Sequence, residues 1–104
     1  MTVTTIGTSQ VHVDAEGFLT DYDEWNEELA RQLAAQIGIE LTDAHLRVLR
    51  FLRADYAERG ETATLRGVST RAGVPVKELF ALFPGKPAKK MAYIAGLPKP
   101  VGCV

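Results

Sequence analysis

The chain holds a single cysteine, Cys103, and one cysteine closes no internal disulfide. No charged leader with an apolar h-region opens the sequence, so the expected compartment is a reducing cytoplasm. An excess of charge of one sign is missing too. Twelve Lys and Arg stand against 13 Asp and Glu, a net charge of −1. That balance excludes a global field driving the chain onto nucleic acid or an anionic membrane, so any such binding has to be local. No apolar run approaches the length that crosses a bilayer, and no membrane partner is expected. Histidine is scarce: His12 and His45 stand without Cys, His or carboxylate companions at recurring ligand spacing, so no metal is expected. Neither a Gly-x-Ser-x-Gly elbow nor a Walker glycine loop is present, which leaves hydrolase and nucleotide-binding readings without an anchor; no cofactor is expected. Internal repeats and low-complexity tracts are absent.

What remains is a chain of 104 residues, 46% apolar, enough to bury one modest core. Residues 2–20 alternate weakly, Val11 with Val13 and then Phe18 with Leu19, around turn chemistry at Asp14-Ala15-Glu16-Gly17; this predicts a small hairpin. Tyr22, Trp25, Leu29, Leu33 and Ile37 recur at helical spacing, with Asp21 to cap and Gly38 to close, and predict one amphipathic helix over 21–37. Thr42 is the next N-cap, Leu41 and Leu46 form a hydrophobic staple, and Leu46, Leu49, Phe51, Leu52 and Tyr56 give a wide apolar face before Gly60. A shorter helix is predicted over Leu65 to Ala72, weakened by Gly67 and ended by Gly73. Pro75 suits the first turn of a further helix burying Leu79, Phe80, Leu82 and Phe83, which Pro84-Gly85 stops. Pro87 opens a last helix to Ala95, closed by Gly96. The expected fold is mainly α: a small orthogonal helical bundle with an N-terminal hairpin.

The final segment, Leu97 to Val104, has no apolar periodicity and carries Pro98 and Pro100. Proline removes amide donors and biases its predecessor away from the α region, which predicts an extended, partly stiff arm. Residues 1–96 then form the body and 97–104 the flexible arm that carries Cys103. From Leu97 to Cys103 the arm reaches about 20 Å when extended. Stiffness lowers the entropy lost when such an arm docks in a partner's cleft. The free carboxylate of Val104 disfavours a Cys103 thiolate and Lys99 favours it, so the net thiol pKa stays open. Lys86, Lys89 and Lys90 form a basic cluster near the arm's base: either a solvated helix face, or a docking patch for an acidic partner or an RNA backbone.

Residues 68–86, VSTRAGVPVKELFALFPGK, resemble the helix-turn-helix of TetR-type repressors, which implies a DNA-binding regulator as one alternative. The helix that would enter the groove offers only Lys77 and Glu78 as charged groups, where groove readers need several donors. Only 18 residues follow Lys86. A helix-turn-helix is also an ordinary way to pack two short helices.

The terminal run IAGLPKPVGCV resembles the arm of the DsrC/TusE family of sulfur-relay proteins. VDAEGFLTDYDEWN (13–26), GIELTDAH (38–45), VLRFLRADYAERG (48–60) and LFPGKPAKK (82–90) are similar to family segments in the same order. The resemblance implies a mainly helical body with an N-terminal hairpin and a mobile arm whose penultimate cysteine, matched by Cys103, holds sulfur as a persulfide. It further implies a carrier without independent turnover. Gly96 and Gly102 would permit the hinge and close approach, while Leu97, Pro98, Lys99, Pro100 and Val104 would meet the partner. Members that serve dissimilatory sulfite reductase have a second cysteine eleven positions before the last one, and here Ala92 stands in that place. The single-cysteine state is similar to TusE. The implied partners are a TusBCD-like sulfur donor and a tRNA thiouridylase-like acceptor making 2-thiouridine, with indirect tRNA contact. The alternative is a partner or regulatory subunit of sulfite reductase. Leu46 also departs from the family, which often has Trp there.

Overall fold

Gly7, at φ +61°, turns the chain back on itself between Ile6 and Thr8. The computed structural model describes residues 2–100. In it β1 (Thr2–Ile6) pairs antiparallel with β2 (Ser9–Val13), in register from Thr2 opposite Val13 to Ile6 opposite Ser9. The hairpin turn is therefore Gly7-Thr8, a two-residue loop, and not the expected Asp14–Gly17. β1 is mostly threonine with an exposed outer face, so its alternation is faint. The Asp14 turn makes a second reversal instead. The Asp14 carboxylate accepts from the amides of Glu16 at 2.9 Å and Phe18 at 3.0 Å, and Leu19 comes back to bridge Val13.

The helix expected over 21–37 is two elements. Asp21 caps a single 3₁₀ turn (Tyr22–Glu24), Trp25 is extended, and Asn26 then caps α1 (Glu27–Gln36) by accepting from the Leu29 amide at 2.8 Å. Asn26 offers the backbone a local alternative to continuing the helix, so the apolar spacing runs across a break. α2 (Asp43–Arg59) starts at Thr42 as expected. His45, at its third position, reaches back to the Thr42 amide with Nδ1 at 3.1 Å. Its Nε2 lies 2.8 Å from the Leu82 carbonyl, a pure acceptor, so the hydrogen resides on Nε2. One imidazole thereby ties the start of α2 to the backbone at Leu82, 37 residues on. Leu46, Leu49 and Leu52 are buried, whereas Phe51 and Tyr56 are half-buried. Buried Asp55 pairs with Arg59 at 3.0 Å and with Arg71 at 3.1 Å, which fastens α2 to α3 (Leu65–Ala72).

α3 and α4 (Val76–Leu82) form the helix-turn-helix-like unit, with Pro75 at the cap position of α4 rather than in its first turn. In α4 only Leu79, and Phe83 just beyond the helix, are buried. Phe80 is 46% exposed and Leu82 half-buried, against expectation, because a helix of two turns resting on one edge turns a single i, i+4 pair inward. α5 (Pro87–Ile94) packs against α1 and α2. A helical core and a smaller core under the hairpin meet at Trp25 and Tyr93. The architecture is the expected mainly α bundle with an N-terminal hairpin, and among the described residues no helix is long and apolar enough to cross a membrane.

α1 and α5 close in the same way. After α1 the amides of Gly38 and Ile39 donate to Ala35 at 3.2 Å and Ala34 at 2.9 Å; after α5 those of Gly96 and Leu97 donate to Tyr93 at 3.3 Å and Ala92 at 3.0 Å. Both are Schellman closures with glycine in the left-handed region, φ +76° and +70°. They differ in surroundings. A Cβ on Gly38 meets nothing within 4 Å, and one on Gly96 would fall 2.6 Å from Trp25 Cδ1. Gly38→Ala is expected to lose about 1–2 kcal/mol, the left-handed penalty alone. Gly96→Ala should lose clearly more in the same denaturation experiment, and equal losses would show that the indole yields freely.

Glu24 links the 3₁₀ turn to the hairpin: Oε1 accepts from the His12 amide at 2.8 Å, and Oε2 lies 2.7 Å from His12 Nδ1. The amide bond, aided by the imidazole and opposed by burial, holds the Glu24 carboxyl below its ordinary value of 4.5. A carboxyl depressed in the folded state contributes stability above its unfolded pKa and loses it as pH falls through the folded one. The stability gap between the wild type and Glu24→Gln should therefore narrow below pH 4.5. A gap that stays constant from neutral to acid pH contradicts this.

Candidate functional site

The last carbonyls of a helix have no partner within it, and at the end of α5 each one finds a donor. Ala92 and Tyr93 are served by the Schellman amides. Trp25 Nε1 donates to the Ile94 carbonyl at 2.8 Å, and Arg53 Nη1 to the Ala95 carbonyl at 3.0 Å. Arg53 comes from the inner face of α2. Its guanidinium lies 3.9 Å from the centroid of the Tyr22 ring and 4.4 Å from that of Trp25, with Nη2 donating to the Tyr22 carbonyl at 2.7 Å. The Tyr22 hydroxyl returns a bond to the Arg53 carbonyl at 2.9 Å. Burial lowers the Arg53 pKa, with Tyr22 and Asp23 opposing, yet guanidinium stays protonated in proteins. A fixed cation thus faces the negative end of the α5 dipole.

From this clamp the chain runs into the expected arm. Gly96 is buried against Trp25. Leu97 is fully buried in the helical core, so its side chain plugs the body rather than facing a partner. The Pro98 carbonyl accepts from the Thr62 hydroxyl at 2.8 Å, Lys99 Nζ pairs with Glu16 at 3.3 Å, and Pro100 is buried while Pro98 and Lys99 are exposed. Gly102, Cys103 and Val104 lie outside the described residues.

The basic cluster adjoins this region. Lys86 is exposed, Lys89 and Lys90 are half-buried, and Lys90 Nζ donates to the Pro84 carbonyl. The three border a groove of about 540 Å³ with Phe18, Tyr93 and Glu16, the acid that holds Lys99. Burial raises the Tyr93 hydroxyl above its ordinary value. The structure thus brings the arm's base and the lysines onto one side of the molecule. Among the described residues no three His, Cys, Asp or Glu side chains converge as metal ligands.

Arg53, Trp25, Thr62 and Glu16 were not legible as arm contacts. One signal existed for Arg53: it falls at the spacing of Leu46, Leu49 and Tyr56, a cation on an otherwise apolar stripe. In the helix-turn-helix-like unit, the outer side of α4 presents Val76 and Phe80 beside Lys77, more apolar than cationic. Readers of the major groove present donors there.

Comparison with known proteins places this geometry. A family model described as DsrC like protein matches residues 5–104. Sulfurtransferase TusE of Sodalis glossinidius is 38% identical over 103 residues, 92% of this chain and 95% of that protein. Sulfurtransferase TusE of Yersinia pseudotuberculosis is 41% identical over 101 residues, 90% and 94% of the two chains. Among solved structures, DsrC of Allochromatium vinosum superposes with a TM-score of 0.86 at 35% identity, covering 98% of this chain and 97% of its own. The oxidized gamma-subunit of the dissimilatory sulfite reductase (DsrC) from Archaeoglobus fulgidus gives 0.78 at 34%, covering 99% and 100%. Sequence and backbone agree over nearly the whole length, and the chain belongs to the family of DsrC-like proteins.

Proposed function

We propose that this chain is a sulfur carrier in which Cys103 takes up sulfur as a persulfide and passes it to an acceptor enzyme. The observation that carries the reading is the clamp on Ile94 to Leu97, directly before the Pro98-Lys99-Pro100 segment that leads to Cys103. A body that fixes the start of an arm suits delivery by that arm. The match to the family model also runs through Cys103.

The chemistry balances without an added oxidant. The Cys103 thiolate attacks the terminal sulfur of a donor protein's persulfide, a new S–S bond forms, the old one breaks, and the donor leaves as a thiolate. The acceptor's nucleophile then attacks the terminal sulfur on Cys103 and restores the thiolate. Pro98 and Pro100 keep the arm extended during both visits, and the body contributes partner binding and no turnover of its own.

Within that role we favour a relay for tRNA 2-thiouridine synthesis, with a TusBCD-like donor, a tRNA thiouridylase-like acceptor and no direct need for tRNA contact. Two observations support it: the curated relatives at 38% and 41% identity are named sulfurtransferase TusE, and Ala92 is fully buried and carries no thiol to close a bridge with Cys103. A second reading, a partner or regulatory subunit of dissimilatory sulfite reductase, draws support from the backbone similarity to the Archaeoglobus gamma-subunit.

Incubation with a protein persulfide donor, followed by intact mass measurement, should add one sulfur atom to the wild type, removable by a dithiol, and none to Cys103→Ser. An unchanged wild type, or the same gain in the variant, ends the carrier reading. The subunit reading predicts that binding to a sulfite reductase survives Cys103→Ser, whereas a relay predicts that covalent trapping with its partner disappears in that variant.

A further inference from the structure

Three large apolar side chains stand open to solvent among the described residues, and two of them, Val76 at 41% and Phe80 at 46%, lie four residues apart on α4. Residues at that spacing share one face of a helix. Phe80 walls a groove of about 470 Å³ whose other sides are Leu65 and Arg66 from the start of α3, Gly85 and Lys86 ahead of α5, and Pro87 at its first position. Arg66 and Lys86 take part in no ion pair among the described residues. Gly85 and Lys86 also border the groove formed with Lys89, Lys90 and Tyr93, so the two depressions meet at one loop. The acid on that face, Glu16, is engaged by Lys99.

We infer that this face is a docking surface for an acidic segment of a partner protein, whose apolar side chain enters the α3–α4 groove against Phe80 while its carboxylates meet Arg66 and Lys86. Exposed apolar residues rimmed by charge mark interaction sites on soluble proteins, and an aromatic side chain in a partly walled groove is the usual anchor. The chain as a whole carries a net charge of −1, so the cations here make a local patch that selects and orients a local acid. Nucleic acid fits less well. A duplex presents rows of phosphates and would meet only Arg66 and Lys86 along this groove, and a single strand, whose bases could stack on Phe80, would want a cationic track for its backbone that two side chains do not make. The inference rests on the carrier reading only in taking the partner to be a protein that also receives the arm; Glu16 and Tyr93 put the arm's base beside the same face.

The test uses the full chain, labelled with nitrogen-15 and titrated with a synthetic peptide that alternates Glu with Leu around one central Phe. Amide shifts should cluster at Arg66, Phe80, Lys86 and Ala88 and weaken with salt, and an all-Glu peptide of equal length should bind at least about tenfold more weakly, the loss of roughly 1.4 kcal/mol expected without an apolar anchor. Phe80→Ser should weaken the alternating peptide by about the same factor, and the Arg66→Glu, Lys86→Glu double variant should abolish its binding. All three side chains are solvent-facing, and a native-like spectrum verifies that each variant folds. Cys103→Ser should bind like the wild type, so loss of sulfur loading and loss of docking are separate failures. The proposal is overturned by equal response to the all-Glu peptide or to an oligouridylate, by shifts on another face, or by no response at millimolar peptide. Shifts that depend on the concentration of the chain alone would make the occupant a second copy, and would overturn it too.

Discussion

Everything at the end of α5 turns on the Arg53 guanidinium, a cation held between two aromatic rings with one nitrogen on the Ala95 carbonyl and another on that of Tyr22. Desolvating a charge costs several kcal/mol unless its donors are used, and here they are. Each stacked ring contributes about 0.5–2 kcal/mol, and the α5 dipole adds a further fraction at the same spot. Removing the side chain would undo more than these gains, because two half-buried carbonyls would be left without their donor. The same guanidinium joins the 3₁₀ turn, α2 and α5, three parts of the chain that share no local sequence.

Anchoring of this kind extends past the helix as far as Leu97. The Schellman closure turns the chain at Gly96, the Trp25 indole packs on that glycine, and Leu97 drops into the core. The arm therefore starts from a fixed point with a fixed heading, held again at Pro98 by Thr62 and at Lys99 by Glu16. In the proposed carrier, which brings one sulfur atom into a partner's cleft, a fixed start reduces the conformational freedom lost on docking. The Thr62 and Lys99 contacts are single and solvent-facing, worth about a kcal/mol or less each, so a partner can replace them at small cost. The Arg53 and Trp25 contacts are not of that kind. Leu97 is thus held as firmly as the helix end it follows, and the weaker, solvent-facing contacts begin at Pro98.

Much of this fold was legible in the sequence because local rules and packing agree there. Thr42, Gly60, Gly73, Pro87 and Gly96 mark helix ends where the backbone places them, and the Leu46, Leu49, Leu52 stripe is buried. The differences share a cause. The apolar spacing from Tyr22 to Ile37 is helical, but the Asn26 side chain is a local competitor that period counting does not register. Phe80 looks like core by composition and is not, since a two-turn helix can bury only one edge. Threonine-rich β1 carries almost no alternation, so apolar patterning puts the hairpin turn one reversal too late. As for the site, the arm's residues stand out by their unusual order. Its supports do not, because Thr62, Arg53 and Trp25 reach it across 36, 42 and 69 residues of chain, in contacts that only folding creates. No short-range rule encodes such a meeting.

The departure at Ala92 bears on the docking face. Ala92 is fully buried and its carbonyl is already engaged by the Leu97 amide, so nothing at that position faces a sulfur atom arriving from outside. The chain has no other cysteine than Cys103. In the proposed carrier a loaded sulfur therefore has no resolving thiol within the molecule, and it leaves only through a nucleophile supplied by a partner. A persulfide with no internal exit is exposed to any thiol that reaches it first, so fidelity has to come from which protein docks. Arm residues alone offer little discrimination, because a short extended segment fits many clefts. A separate surface with an aromatic anchor and a local charge pattern adds a second condition that an arbitrary thiol does not meet, and discrimination by two contacts multiplies rather than adds.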